Sequence, residues 1–338
     1  MTSRLALPRP DDLHAHLRRG PAMPAYARRE EASFGRALVM PNTLPPIASA
    51  PALEAYRREI AAAAPGLEPL MAFKLVPGMG REAVLGCAAA GAVAGKYYPA
   101  GSTTNAADGP RCPEEVAGEL DAMEEAGLVL SIHPEDPAAP VLEREAAFLP
   151  TVELILGRWP RLRVVLEHLS TRAALDYLLA GPPRLGASLT AHHLVSSLDD
   201  LLGEALDPHL FCKPVLKPAA DRDALRDAAF RGAAPGRLFF GSDSAPHPRQ
   251  AKEGRRAASG VYAAPSALCA LAGLFEEAGA LGALGAFVAG SGAAFYGLPP
   301  PSGSLELARE EWTVPEELDG SVPFLAGRRL PWRLASRR

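Results

Sequence analysis

Two histidines near the N-terminus stand two residues apart in the run Asp12-Leu13-His14-Ala15-His16-Leu17-Arg18. Alternate side chains of an extended strand share a face. His14 and His16 therefore aim two imidazoles at one point, with Leu13, Ala15 and Leu17 turned the other way. Imidazole nitrogens suit zinc and other borderline first-row metals. Arg18 continues the same face by one step, a fixed cation placed to grip an anionic substrate. Two histidines at the end of a sheet strand can also be plain polar groups, so the weight falls on what the rest of the chain brings to them.

Other residues able to bind metal or carry protons also stand at the ends of short apolar runs. Lys96 follows Ala92-Val93-Ala94-Gly95, His133 follows Leu128 to Ile132, His168 follows Leu162 to Leu166 by one residue, and Asp243 closes Arg237 to Ser242. Taken singly, each has an ordinary reading: a hydrogen-bonded strand-end histidine, a snorkelling lysine, an aspartate capping the next segment. Their joint placement is harder to ascribe to chance, because random placement scatters such residues over helices and loops.

The elements that must position them alternate regularly. Eight apolar runs can be counted: the opening stretch, Arg36 to Met40, Pro69 to Leu75, Ala92 to Gly95, Leu128 to Ile132, Leu162 to Leu166, Gly186 to Thr190, and Arg237 to Phe240. Amphipathic, alanine-rich segments separate many of them, with helices expected over about 51–63, 81–90, 113–126 and 142–159, and another capped by Ser170 and Thr171. Strand–helix alternation implies parallel strands joined by crossover helices. Eight units suggest an α/β fold of the closed (β/α)8 TIM-barrel type, whose active sites lie at the C-terminal ends of the strands. An open doubly wound sheet is the alternative, but no Gly-x-Gly-x-x-Gly follows an early strand. The expected layout is a barrel over residues 1–298 and a short, irregular, proline-rich extension over 299–338 packed on it.

Composition narrows the class. Hydrophobic residues make up 48% and charged residues 22% of the 338, as in an ordinary soluble globular protein. A net charge of −4 argues against a nucleic-acid or anionic-membrane partner. Cys87, Cys112, Cys212 and Cys269 form no Cys-x-x-Cys pair, which fits a reducing cytoplasm and disfavours a disulfide framework. No signal peptide is read at the N-terminus. The basic tail, from Arg328-Arg329 to Arg337-Arg338, reads as a solvated end.

Several segments together resemble the dihydroorotases of the amidohydrolase superfamily. Asp12 to Gly20 and Gly241-Ser242-Asp243-Ser244-Ala245-Pro246-His247, with Lys252 five residues on, are similar to the two signature segments of that family. Gly95 to Pro99, Ser102 to Asn105, Val165 to His168 and Lys213 to Lys217 match as well, so the likeness runs from about residue 8 to about residue 330 and is strongest to the class II, single-function bacterial type. It implies reversible, zinc-dependent cyclisation of N-carbamoyl-L-aspartate to (S)-dihydroorotate in pyrimidine (UMP) biosynthesis. It further implies two Zn2+ per subunit: His14, His16 and Asp243 on one, His133 and His168 on the other, and Lys96 bridging both as an N6-carboxylysine. A metal-bridging hydroxide would attack the ring amide, with Asp243 as general acid and base.

Carried over in the same way, Arg18, Asn42 and His247 hold the substrate carboxylate. Thr103 and Thr104 sit on a mobile lid, Ser259 and Gly260 offer backbone contacts to the pyrimidine ring, and Lys213 sits where a main-chain contact is expected. The family also suggests a homodimer. Cysteines that some relatives carry between Arg249 and Tyr262 are absent here. His192 and His193 match no family ligand and are read as structural or supporting, and His209 has no assigned role. A hydantoinase shares the metal ligands, but Arg18 and the Ala-Pro-His247 segment favour an acidic pyrimidine-type substrate. A silent barrel that assembles with another enzyme would be expected to have lost ligands, and all are kept.

Overall fold

The structure is a computed structural model that describes residues 3–335; Arg337 and Arg338, the end of the basic tail, lie outside the described residues. After strand β1 (Arg4–Pro8) come eight parallel strands: β2 (Asp11–Ala15), β3 (Arg36–Val39), β4 (Glu68–Lys74), β5 (Ala92–Tyr97), β6 (Val129–Ile132), β7 (Arg163–Leu166), β8 (Leu185–Leu189) and β9 (Leu238–Phe240). Each pairs with the next in the sheet order β2 to β9, and helices fill the connections. This is the TIM barrel that the alternation implied. One detail differs. The opening run Leu5-Ala6-Leu7 forms β1 outside the barrel, and the first barrel strand is the segment that carries His14.

The strands read as short Val-, Leu- and Ala-rich runs because both of their faces are buried. Leu38, Leu70, Ala72, Ala94, Val129 and Val165 fill the interior, and Phe295 and Tyr296 pack against them. Arg163, at the start of β7, donates to the Phe295 carbonyl at 2.8 Å, which places this plug at the N-terminal mouth. The site residues therefore have the opposite mouth to themselves. Outward side chains meet the helices, including Ala50–Ala63, Arg81–Ala89 and Arg144–Arg158. Thr171 caps the helix Arg172–Ala180 by accepting from the Ala174 N–H at 3.2 Å. Ser170 does not share that role: Glu145 accepts its N–H at 2.9 Å.

Beyond Leu298, short strands β10 (Ser304–Ala308), β11 (Trp312–Thr313), β12 (Arg329–Leu330) and β13 (Arg333–Leu334) punctuate the proline-rich chain. β10 lies antiparallel between β1 and β13. The described part of the basic tail is thus tied down, and Arg333 also pairs with Glu310 at 2.8 Å. All four cysteines are free thiols. No helix among the described residues is long and apolar enough to cross a membrane.

Candidate active site

The first strand departs from plain alternation. Its register with β3 shifts between Asp12 and Ala15. Ala15 and Leu17 face the helices as alternation requires, but Leu13 joins the barrel interior. A β-bulge of this kind re-aims one side chain. Here Leu13 and His14 both turn inward, with His16 following. The outward placement expected for Leu13 is thereby corrected.

Asp12 holds the bulge. Its Oδ1 accepts the His14 N–H at 3.0 Å and the Ser242 N–H at 2.8 Å. A buried carboxylate thus stitches β2 to the exit of β9, where the barrel closes by a bridge between Ala15 and Ser244 rather than by a ladder. His16 N–H completes the seam to the Ser244 carbonyl at 2.9 Å. The seam sets His14 and His16 beside Asp243. Gly241 belongs to it: a Cβ there would stand 2.9 Å from His14 Cβ and 3.2 Å from Ser188 Cβ, both anchored on strands. Gly241→Ala is expected to cost about 1–3 kcal/mol and to lower metal retention, read by thermal melting and by metal content after dialysis.

Four imidazoles run across the mouth in the order His16, His14, His168, His133, with successive ring centroids 5.3, 5.1 and 4.8 Å apart. Neighbours fix their tautomers. His14 Nδ1–H donates to Glu167 Oε2 at 2.9 Å, and His16 Nδ1–H donates to Asn42 Oδ1 at 2.8 Å. The Nε2 lone pairs then face Asp243 Oδ1 at 3.4 and 3.1 Å. Burial lowers His16 to about 4, so no imidazolium proton fills that gap near neutral pH. Two lone pairs and a carboxylate pointed at one another call for a cation.

On the far side, His133 Nε2–H donates to Glu135 Oε2 at 2.7 Å, which leaves Nδ1 3.1 Å from His168 Nε2. His168 Nδ1 has no partner. Between the two groups lies Lys96, fully buried, its Nζ without a partner and 5.3 Å from the Tyr98 ring centroid. Burial lowers this amine to about 8. A buried ammonium with no acceptor is expensive, so Lys96 fits a site where its amine is modified or neutral. These donors suit borderline divalent metals.

Glu167, quoted above only as part of a motif, supports the whole array. Besides His14 it accepts from Ser131 Oγ and, at 2.6 Å, from Ser188 Oγ, which in turn accepts the His168 N–H at 2.7 Å. Burial alone would raise its carboxyl; an unmodified, charged Lys96 and the hydrogen bonds from His14 and Ser131 act the other way and lower it to about 2. Such partners orient metal-binding imidazoles. Glu135 does the same for His133 and was not anticipated. Both glutamates had a readable signal: Glu135 repeats the two-residue step after His133, and Glu167 is two residues beyond the inward Val165.

A small cavity lies between these groups and the rim. It is lined by Arg18, Asn42, Thr103, Thr104, Lys213 and Ser259 as well as by the imidazoles and Asp243. Tyr98, Ala245 and Gly260 also line it. His247 does not. It stands behind Arg18, its Nε2 accepting from Arg18 Nη2 at 2.8 Å, while Arg18 Nε donates to the Pro246 carbonyl at 3.0 Å. Burial and the neighbouring Arg18 lower His247 to about 3, so it is neutral and able to accept.

The loop carrying Thr103 and Thr104 is closed over the cavity. Asn42 Nδ2 donates to the Thr104 carbonyl at 3.2 Å, Lys74 Nζ donates to the Asn105 carbonyl at 2.6 Å, and Thr104 Oγ1 lies 3.2 Å from Ser259 Oγ. Both ends of the Asn42 amide are thus committed to the protein. Arg18, His168 and Asp243 adopt positive φ of 62°, 43° and 45°. Non-glycine residues reach this region at a cost, commonly at functional sites. His192 and His193 lie in the short helix Ala191–Val195 rather than ending β8, and His209 pairs with Glu253 at 3.1 Å.

No family model matches the chain. Whole-protein comparisons do. The dihydroorotase of Leptothrix cholodnii is 42% identical over 99% of both chains, and that of Halorhodospira halophila is 44% identical over 98% of both. Among solved structures, dihydroorotase from Saccharomyces cerevisiae in complex with 5-fluoroorotic acid superposes with a TM-score of 0.92 at 32% identity, covering 100% of both chains. Identity at this level over the full length leaves one assignment: the chain belongs to the dihydroorotase family.

Proposed function

We propose that the chain catalyses the reversible cyclisation of N-carbamoyl-L-aspartate to (S)-dihydroorotate, a step of pyrimidine synthesis, at the C-terminal mouth of the barrel. The observation that carries the proposal is the pair of metal-facing groups, His14, His16 and Asp243 on one side and His133 and His168 on the other, flanking the unpartnered Nζ of Lys96. The ligand named with the yeast relative, 5-fluoroorotic acid, is itself a pyrimidine carboxylate, which supports the substrate class.

The fit extends to two zinc ions. An ammonium cannot ligate a metal. A neutral Lys96 amine can add to carbon dioxide, forming an N–C bond and releasing a proton, and the carbamate would bring two oxygen donors and a negative charge to the site. Bound zinc would supply Lewis acidity toward the amide carbonyl and a water acidified toward neutral pH.

The chain's own side chains do the rest. Asp243 faces the cavity beside the Nε2 atoms of His14 and His16, and next to bound cations it would be a carboxylate able to take a proton. In ring opening it takes a proton from the attacking water and delivers it to the departing ring nitrogen. In ring closure it takes the proton of the attacking carbamoyl nitrogen and returns it to the leaving oxygen. Arg18 keeps N–H groups free for the substrate carboxylate after its contacts to Pro246 and His247. Thr103 and Thr104 on the closed loop keep bulk water from the reacting amide.

Reconstitution tests this. Metal-free protein reloaded with Zn2+ should open the dihydroorotate ring, followed by ultraviolet absorbance, and recovery should be faster and more complete with bicarbonate present. Lys96→Gln should recover no turnover in either case. Equal recovery without bicarbonate or dissolved carbon dioxide would remove the carboxylated bridge. No turnover by folded, metal-loaded wild-type protein would remove the function.

A further inference from the structure

Beside the catalytic cavity lies a second cluster of metal-ligating side chains. Thr190 ends the last turn of chain after β8, and His192 and His193 follow it in their short helix. Cys212 approaches from farther along the same connection between β8 and β9, one residue before Lys213, which lines the catalytic cavity. One donor atom from each of His192, His193 and Cys212 lies within 4.8 Å of the other two. The three residues are at most 3% exposed.

Their hydrogen bonding is uneven. His193 is served at both ring nitrogens: Nδ1 meets Thr190 Oγ1 at 2.9 Å, and Nε2–H donates to the Pro214 carbonyl at 3.1 Å. The Cys212 thiol donates to the same carbonyl at 3.1 Å. His192 has nothing. Both of its ring nitrogens are buried and without a partner, although its ring centroid is only 4.7 Å from that of His193. A buried polar group left unsatisfied is costly, so an imidazole with two such atoms points to a missing occupant.

We propose that His192, His193 and Cys212 form a third metal site, separate from the catalytic pair, that takes a thiophilic cation of the Zn2+, Co2+ or Cu+ class. Two imidazoles and a thiolate select such ions over Mg2+ or Ca2+. Three protein donors leave a fourth, tetrahedral position for water or another oxygen.

Binding breaks the two hydrogen bonds to the Pro214 carbonyl. The Cys212 thiol loses its proton to solvent. His193 moves its proton from Nε2 to Nδ1, where Thr190 Oγ1 accepts it, as a hydroxyl beside a ligating imidazole commonly does. His192 is already neutral, since burial lowers it to about 4, and supplies a lone pair directly. One proton leaves per ion bound. Burial pushes the Cys212 thiol up to about 12, so the thiolate forms when the metal arrives and not before. The bound ion would pin the Cys212–Pro214 segment against the helix at the end of β8, and with it the wall of the catalytic cavity at Lys213.

Cobalt distinguishes the two centres because the catalytic donors include no sulfur. Full-length, metal-free protein titrated with Co2+ under reducing conditions should develop a near-ultraviolet thiolate-to-cobalt absorption band in addition to the visible bands of the catalytic centre. Cys212→Ser and His192→Phe should each lose that band and one cobalt per chain, whereas Cys112→Ser, which alters the least buried thiol, should keep both. Addition of Zn2+ should bleach the band. A wild-type protein that fills its catalytic centre with cobalt yet shows no thiolate band overturns the proposal whether or not the variants fold. So does a band that persists in Cys212→Ser.

Discussion

Asp243→Asn will lose turnover while keeping the barrel. Proton transfer by one positioned group is commonly worth about 10²–10⁴-fold in rate, and kcat for dihydroorotate ring opening should fall by at least that range. Asparagine is the informative substitution because Asp243 sits at a φ of 45°, a region that asparagine tolerates better than alanine does. Asp243→Ala therefore adds backbone strain to the same chemical loss. It should keep much of its fold and should also retain less metal, because Asp243 is one of the three donors of its group. Circular dichroism and metal analysis of the two variants, read beside kcat, separate the proton carrier from the ligand. Near-wild-type kcat in Asp243→Asn would exclude the proposed proton shuttle.

Arg18→Met should act on the other kinetic constant. The side chain is held from behind by Pro246 and His247, so its remaining N–H groups meet the cavity in a fixed fork. Hydrogen bonds to charged groups are worth about 1.5–3 kcal/mol, which corresponds to roughly a 10- to 150-fold rise in KM. Methionine keeps the length and the apolar stem but no donor. kcat should change far less than KM, since the substrate carboxylate lies at a distance from the amide that reacts. His247→Ala, which removes the ring that stands behind Arg18 and touches the Ser259 carbonyl, should give a smaller rise in KM. An unchanged KM in Arg18→Met would place the carboxylate elsewhere.

The parts of this site that are legible in the sequence are those that follow period two. Lys96, His133, His168 and Asp243 stand at strand ends, and a parallel barrel gathers strand ends on one rim. The bulge that turns both Leu13 and His14 inward was not legible. Simple alternation assigns them opposite faces, and the bulge exists because the Asp12 carboxylate, a contact between residues 12 and 242, takes up the displaced N–H groups. Glu167 and Glu135 were visible as residues but not as roles, because what they do depends on which imidazole nitrogen they reach. Asn42 shows the converse. Its side chain lines the cavity, yet its amide is spent on His16 and on the closed loop. His192 and His193 could be singled out only as surplus, since their neighbour Cys212 is brought to them by the fold of the long connection between β8 and β9 and not by any short spacing.

The pairing of β1 with β10 carries a consequence for biosynthesis of the protein itself. β1 ends three residues before β2, the strand that bears His14, and its partner lies at residues 304–308. At about 5–20 residues per second, the ribosome needs roughly 15–60 s to travel from the first of these elements to the last. For most of that interval the His14–His16 pair has neither Asp243 nor its seam, and until residues 304–308 are made it also lacks the strand that pairs with β1. The nascent chain thus displays an open two-histidine chelate long before it has the cavity that controls which ion enters. Expression in metal-poor medium followed by loading of the finished chain should give a more uniform metal content than expression in medium rich in competing ions such as Cu2+ or Ni2+.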